Sequence, residues 1–131
     1  MKKEKWVLEK VFTFDAAHQL EHMPEGHKCG QLHGHTWKVI VRIACYRLHE
    51  PQDWVMDFGK LKEKVGNILS EYDHTNLNDS FSGNTTCENI AKALFIELDQ
   101  KMMPSKVTFL ESITVYETEG NGCTYRMEET L

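Results

Sequence analysis

Residues 33–48, "HGHTWKVIVRIACYRL", decide the fold. Successive side chains of a strand point to opposite faces. His33, His35, Trp37, Val39, Val41 and Ile43 therefore share one face, and Thr36, Lys38, Ile40 and Arg42 share the other. An apolar row backed by a mixed row marks a strand in a sheet with one covered face. Upstream, "VLEKVFTFDAAH" (7–18) alternates in the same way, with Leu8, Lys10, Phe12, Phe14, Ala16 and His18 on one face. If the two strands pair antiparallel, the end of the first lies beside the start of the second. His18 then stands next to His33 and His35.

Downstream, Asp57 is a helix-capping residue for a helix over 58–72. Its apolar stripe is Phe58, Leu61, Val65, Ile68, Leu69 and Tyr72. "DHTNLNDSFSGN" reads as a loop, and "TTCENIAKALFIELDQKM" as a second helix with Thr85 and Glu88 at capping-box spacing. "SITVYETE" and "CTYRMEE" read as two more strands, joined by the turn signal "GNG". The order is ββααββ. Each helix has one stripe to bury, which predicts an α+β fold: an antiparallel four-stranded sheet with both helices on one face. Long strands with bare edges and a mixed outer face (Thr13, Asp15, Lys38, Arg42) point to self-association.

The chain has 131 residues, the size of one domain spanning 1–131. Its formal net charge of −5 argues against nonspecific nucleic-acid or anionic-membrane binding. No apolar run approaches the ~20 residues of a membrane span. The basic start "MKKEKWVLEKV" lacks the apolar segment of an export signal, so the expected compartment is the cytoplasm. There Cys29, Cys45, Cys87 and Cys123 would be reduced thiols.

Three imidazoles converging from two strands are the ligand set of a catalytic zinc site with one position left open. The plainer reading is three separate, hydrogen-bonded histidines. Cys29, four positions before His33, is either a fourth ligand that closes the site or a thiolate beside the metal, usable as base or nucleophile. Cys45, Cys87 and Cys123 are packing residues. His22, His27 and His49 fall in loops or strand ends, with His27 near enough to Cys29 to touch a substrate. In "YDHTNLND", Asp73 beside His74 suits an acid–base pair, against the alternative of a polar helix-ending loop. Glu117 in "VYETE" can accept two parallel hydrogen bonds from a guanidine-like edge, or be a rim glutamate.

Taken in order, "FDAAHQL", "CGQLHGH", "WVMDF", "YDHTNLN", "TCENIA" and "VYETE" resemble the motifs of the 6-pyruvoyltetrahydropterin and 6-carboxytetrahydropterin synthase family. "PEGHKCGQLHGH" and "GCTYR" look closest to the bacterial carboxy-forming, queuosine-pathway branch. The resemblance implies a tunnelling fold, with sheets joined into a barrel and two trimers stacked as a homohexamer. It implies Zn2+ on His18, His33 and His35, Cys29 as proton-abstracting base, and Asp73 with His74 as a supporting pair from a neighbouring chain. Glu117 would anchor the pterin, and Thr86 and Glu88 would line its pocket. Thr85 stands where the family often has Pro, and Cys87 where it often has Ala, Ser or Thr. The implied substrate is 7,8-dihydroneopterin triphosphate, with Lys28, Lys38 and Arg42 as candidates for the triphosphate. The implied products are 6-carboxy-5,6,7,8-tetrahydropterin, acetaldehyde and triphosphate. Three alternatives remain at this point: the pyruvoyl reaction, an unrelated zinc hydratase or hydrolase, and a non-catalytic zinc-stabilised module.

Overall fold

A computed structural model describes residues 1–102, 105 and 107–130. Its elements are β1 (Trp6–His18), a 3-10 turn (Lys28–Gly30), β2 (His33–Cys45), α1 (Phe58–Leu69), β3 (Thr75–Asn76), α2 (Leu77–Ser80), α3 (Cys87–Met102), β4 (Thr108–Thr118) and β5 (Asn121–Tyr125). They form one sheet in the order β3-β1-β2-β4-β5. β1 and β2 pair antiparallel along their whole length, from Trp6 opposite Cys45 to His18 opposite His33. β2–β4 and β4–β5 are also antiparallel.

The alternation read in β2 holds. Trp37, Val39, Val41 and Ile43 are buried, in one core cluster with Leu61, Val65 and Leu69 of α1 and Ile90, Leu94 and Leu98 of α3. Both long helices therefore cover the same face. Trp37 anchors it: its indole N–H donates to the Ala16 carbonyl at 3.1 Å, and its ring stacks on Phe14. On the opposite face Arg42 donates to Glu9 and to Thr114, while Val7 and Val11 stand about half exposed.

Several expectations need correction. The sheet is mixed and five-stranded, because Thr75–Asn76 runs parallel to Ala16–Ala17. The stretch read as a loop thus holds β3 and the one-turn α2, capped by the Asn76 side chain and seated by the fully buried Leu77. α1 keeps its Asp57 cap but ends at Leu69, where the ladder gives way to i→i−3 bonds from the Glu71 amide to Ile68 and from the Tyr72 amide to Leu69; His74 then takes a left-handed backbone (φ 60°) that brings the chain onto β1. The capping box is displaced: Thr86 Oγ1 accepts from the Asn89 amide at 3.2 Å, the N-cap geometry, while Thr85 turns inward. β4 starts at Thr108, four residues earlier than its alternation suggests. A bulge at Arg42/Ile43 sets Ser112 opposite Arg42 and Leu110 opposite Ile43, so Glu111 falls out of the alternating pattern. Its carboxylate instead takes Lys5 at 2.8 Å. The hairpin turns at Glu119–Gly120, where Gly120 has the positive φ (82°) such a turn requires.

Candidate metal centre and active site

Strand pairing alone delivers the three imidazoles. His18 ends β1, His33 and His35 begin β2, and the register sets His18 opposite His33. Their ring centroids lie 4.6–5.1 Å apart, edge to face. Trp37 lies beneath, in edge contact with His18 and His35.

Backbone carbonyls orient two of the rings. His18 Nδ1 lies 2.8 Å from the Thr85 carbonyl, and His33 Nδ1 lies 2.6 Å from that of Gln31. A carbonyl only accepts, so Nδ1 carries the proton in both rings and Nε2 presents its lone pair. The Nε2 atoms of His18 and His35 are buried and have no hydrogen-bond partner among the described residues. Burial pushes both imidazoles below the usual histidine pKa, although the Glu117 carboxylate pulls the other way. Neutral rings with buried, unpaired lone pairs fit a divalent cation of the zinc type.

A fourth donor joins them. Glu117 brings Oε1 to 3.3 Å from His35 Nε2 and Oε2 to 3.8 Å from His18 Nε2. The ligand atoms of His18, His33, His35 and Glu117 all lie within 4.8 Å of one another, a group that leaves out Cys29. Cys29 lies on the 3-10 turn and lines a cavity of about 300 Å3 with Lys28, His33, His35 and Glu117. His27 Nδ1 accepts from the Cys29 amide at 3.1 Å, so His27 shapes the turn that carries the thiol.

Asp73 and His74 form a pair, but not in that cavity. His74 Nδ1 lies 2.9 Å from Asp73 Oδ2. Asp73 Oδ1 accepts from the Asp15 amide, and the His74 amide donates to the Asp15 carbonyl. The Asp15 amide, then His74, hold the Asp73 carboxyl below the usual carboxylate range. His74 opens onto another cavity, of about 620 Å3, lined also by Asp15, Gly34, His35 and Thr36, so that His35 borders both this cavity and that of Cys29. Thr86 spends its hydroxyl on the α3 cap. Glu88 lines a third cavity, about 480 Å3, with Cys87, Cys123 and Glu117. There burial pushes the Cys87 thiol up to about 11. Of the expected triphosphate contacts, Lys28 lines the Cys29 cavity. Arg42 is engaged by Glu9, and Lys38 stacks on the Tyr116 ring at 4.5 Å.

Residues that support the site escape a reading of motifs. Thr85 is fully buried and holds His18 through its carbonyl, with its hydroxyl 3.2 Å from the same Nδ1. The side-chain amides of Asn78 and Asn84 clasp the backbone of Gln19 and Glu21, pinning the chain just beyond His18. Asn in a polar loop is the only local signal for them, and a carbonyl contact leaves no signal at all.

Three strand-borne imidazoles, a carboxylate and a nearby thiol on an α+β sheet define a class of protein suited to metal-assisted chemistry on a small molecule. The chain belongs to the 6-pyruvoyl tetrahydropterin synthase family, whose model matches residues 7–128. It is 39% identical over 118 residues, 86% of this chain and 87% of the relative, to a 6-carboxy-5,6,7,8-tetrahydropterin synthase of Synechocystis sp.. It is 38% identical over 108 residues, 80% of this chain and 83% of the relative, to a dihydroneopterin monophosphate aldolase of Pyrococcus furiosus. The fold is similar to that of the solved 6-pyruvoyl tetrahydropterin synthase of Caenorhabditis elegans, with TM-score 0.82, 27% identity, and coverage of 98% of this chain and 99% of that one.

Proposed function

We propose that the chain, as one domain over 1–131, is a zinc-dependent lyase of the cytoplasm. It would convert 7,8-dihydroneopterin triphosphate and water to 6-carboxy-5,6,7,8-tetrahydropterin, acetaldehyde and triphosphate, in queuosine biosynthesis. The observation that carries this reading is the near-full-length similarity to a 6-carboxy-5,6,7,8-tetrahydropterin synthase, on a chain whose Cys29 faces the cavity of the histidine cluster.

His18, His33 and His35 would hold the metal, which when bound supplies Lewis-acid polarisation of oxygens on the substrate side chain. The remaining work falls to the chain. Cys29, as thiolate, takes a proton from a side-chain carbon in the adjacent cavity. Lys28 offers positive charge there to the departing triphosphate. Glu117 accepts two N–H bonds from the guanidine-like edge of the pterin, which fixes the ring. Glu88, in the cavity that Glu117 shares, borders that ring, and Thr86, which the family resemblance also places at the ring, caps the helix that carries Glu88. His74, with Nδ1–H tied to Asp73, presents Nε2 to move a proton. His74 opens on a cavity that shares His35 with that of Cys29, and it is assigned to a neighbouring chain's site, as the family resemblance implies for a homohexamer of barrel-forming trimers.

The similarity to an aldolase favours a second reading, in which the side chain is cut at a carbon–carbon bond and the phosphate stays on the released aldehyde. Product analysis of zinc-loaded protein separates the cases. Triphosphate together with acetaldehyde is expected. Triphosphate alone means the pyruvoyl reaction, and a phosphorylated aldehyde means the aldolase. No product from folded, loaded protein overturns the pterin reading.

A further inference from the structure

We propose that Glu117 is a two-position carboxylate. In the substrate-free protein it completes the donor set of His18, His33 and His35 as a fourth protein ligand, and it leaves for the pterin edge when substrate arrives. The proposal deepens the zinc-dependent reading above and rests on it.

Contact geometry is the first support. Glu117 Oε1 lies 3.3 Å from His35 Nε2, and Oε2 lies 3.8 Å from His18 Nε2. Both contacts are at ion-pair distance. Yet His35 Nε2 has no hydrogen-bond partner among the described residues, and neither has His18 Nε2. The Thr85 carbonyl takes the Nδ1 proton of His18, so a bare lone pair faces the carboxylate. Acceptors aimed at one another repel unless a cation lies between them. Two ligand atoms on a tetrahedral zinc with bonds of ~2.0–2.1 Å are themselves ~3.3–3.4 Å apart; the His35–Glu117 spacing matches this, and the His18–Glu117 spacing of 3.8 Å would close slightly on metal binding.

Placement supplies the second support. Glu117 lines the cavity of Cys29 and His33 on one side and that of Glu88 and Cys87 on the other. Its side chain is only a quarter exposed, so it forms part of the wall between the two. A turn of this side chain exchanges a contact with the histidines for a contact in the second cavity. The guanidine-like edge of a pterin offers the N–H donors that would draw it there. That movement frees one coordination position, so ring recognition and opening of the metal site become one event. The protein then exposes a reactive metal position only when the correct ring is present.

The test reads metal binding, not turnover. Zinc affinity, measured by competition with a chromophoric chelator, should fall at least about 10-fold in Glu117→Gln and stay unchanged in Glu88→Gln, which lines only the second cavity. Added pterin, which has the ring and no side chain, should shift the visible spectrum of the cobalt-loaded wild type and leave that of cobalt-loaded Glu117→Gln unmoved. Equal zinc affinities, or equal spectral responses, would overturn the proposal. Should Glu117→Gln not fold, diffraction from the zinc-loaded, substrate-free wild type decides: a Glu117 oxygen at ~2.0–2.2 Å supports the proposal and one beyond ~3 Å rejects it. A failed product assay with these metal results intact would reject the lyase reading alone.

Discussion

At the level of single residues, the proposed ligands lie apart from the proposed proton carriers. Cys29 lies outside the group of mutually close donors, and His74 lies in another cavity. Cys29→Ala and His74→Ala should each keep one zinc per chain and lose kcat by about 10²–10⁴-fold, with KM little changed. His33→Ala should come out metal-poor instead. Zinc content and steady-state kinetics on the three variants check this, and a metal-free Cys29→Ala would return the thiol to the ligand set. Asp73 carries a pH prediction. Its folded-state pKa is depressed by the Asp15 amide and His74, so the unfolded chain binds its proton first. The clasp is fully present above the unfolded value of ~3.9 and is lost as pH falls through the lower folded value. The Asp15 amide resonance should therefore titrate below about pH 3.9. A midpoint above that would mean Asp73 is not held as described. The meeting of the three histidines was legible in "LHGH" and "FDAAH", because spacing along paired strands is geometry, whereas Cys29 sits on the 3-10 turn before β2, where no periodicity fixes its place. The contact of Glu117 with His18 and His35 was not, because it joins β4 to both β1 and β2 and nothing local to "VYETE" records it.

Elements succeed or fail by their ends. The cap on Thr86 predicts that Thr86→Ala costs about 1 kcal/mol in urea unfolding, whereas loss of Glu88 costs a few tenths. The reverse order would restore the capping box read from Thr85 and Glu88. In the strand interior, Trp37 is fully buried, donates to Ala16 and underlies His18 and His35. Trp37→Ala should destabilise by about 3–5 kcal/mol and loosen metal binding together with the fold. Element identity was readable wherever a long apolar stripe met a face that needed covering, as in β1, β2, α1 and α3. The two-residue β3 was not, since two residues carry no periodicity and only the His74 reversal onto Asp15 creates the strand.

For the whole molecule, the proposed hexamer predicts an active site assembled between chains. Sedimentation equilibrium at micromolar concentration should give a hexamer, with a monomer contradicting it. Inactive Cys29→Ala and His74→Ala subunits, unfolded and refolded together, should regain activity at about a quarter of the sites, because a Cys29-bearing chain can meet a His74-bearing neighbour. No recovery from correctly assembled mixtures would place both residues in one chain's site. The helix-free sheet face, with Val7 and Val11 about half exposed beside the Arg42–Glu9 pair, is the surface such an assembly would cover. By itself the sequence determined the three long strands and the short strand that follows them, the two long helices, the covered face and the meeting of His18 with His33 and His35. All of these follow from periodicity and strand pairing, which are local or nearest-neighbour properties. Only the tertiary structure decided which side chains finish the site. Thr85, Gln31, Glu117, Asn78 and Asn84 reach their partners through contacts between elements distant in sequence or through backbone carbonyls, and neither leaves a mark on the residue alphabet.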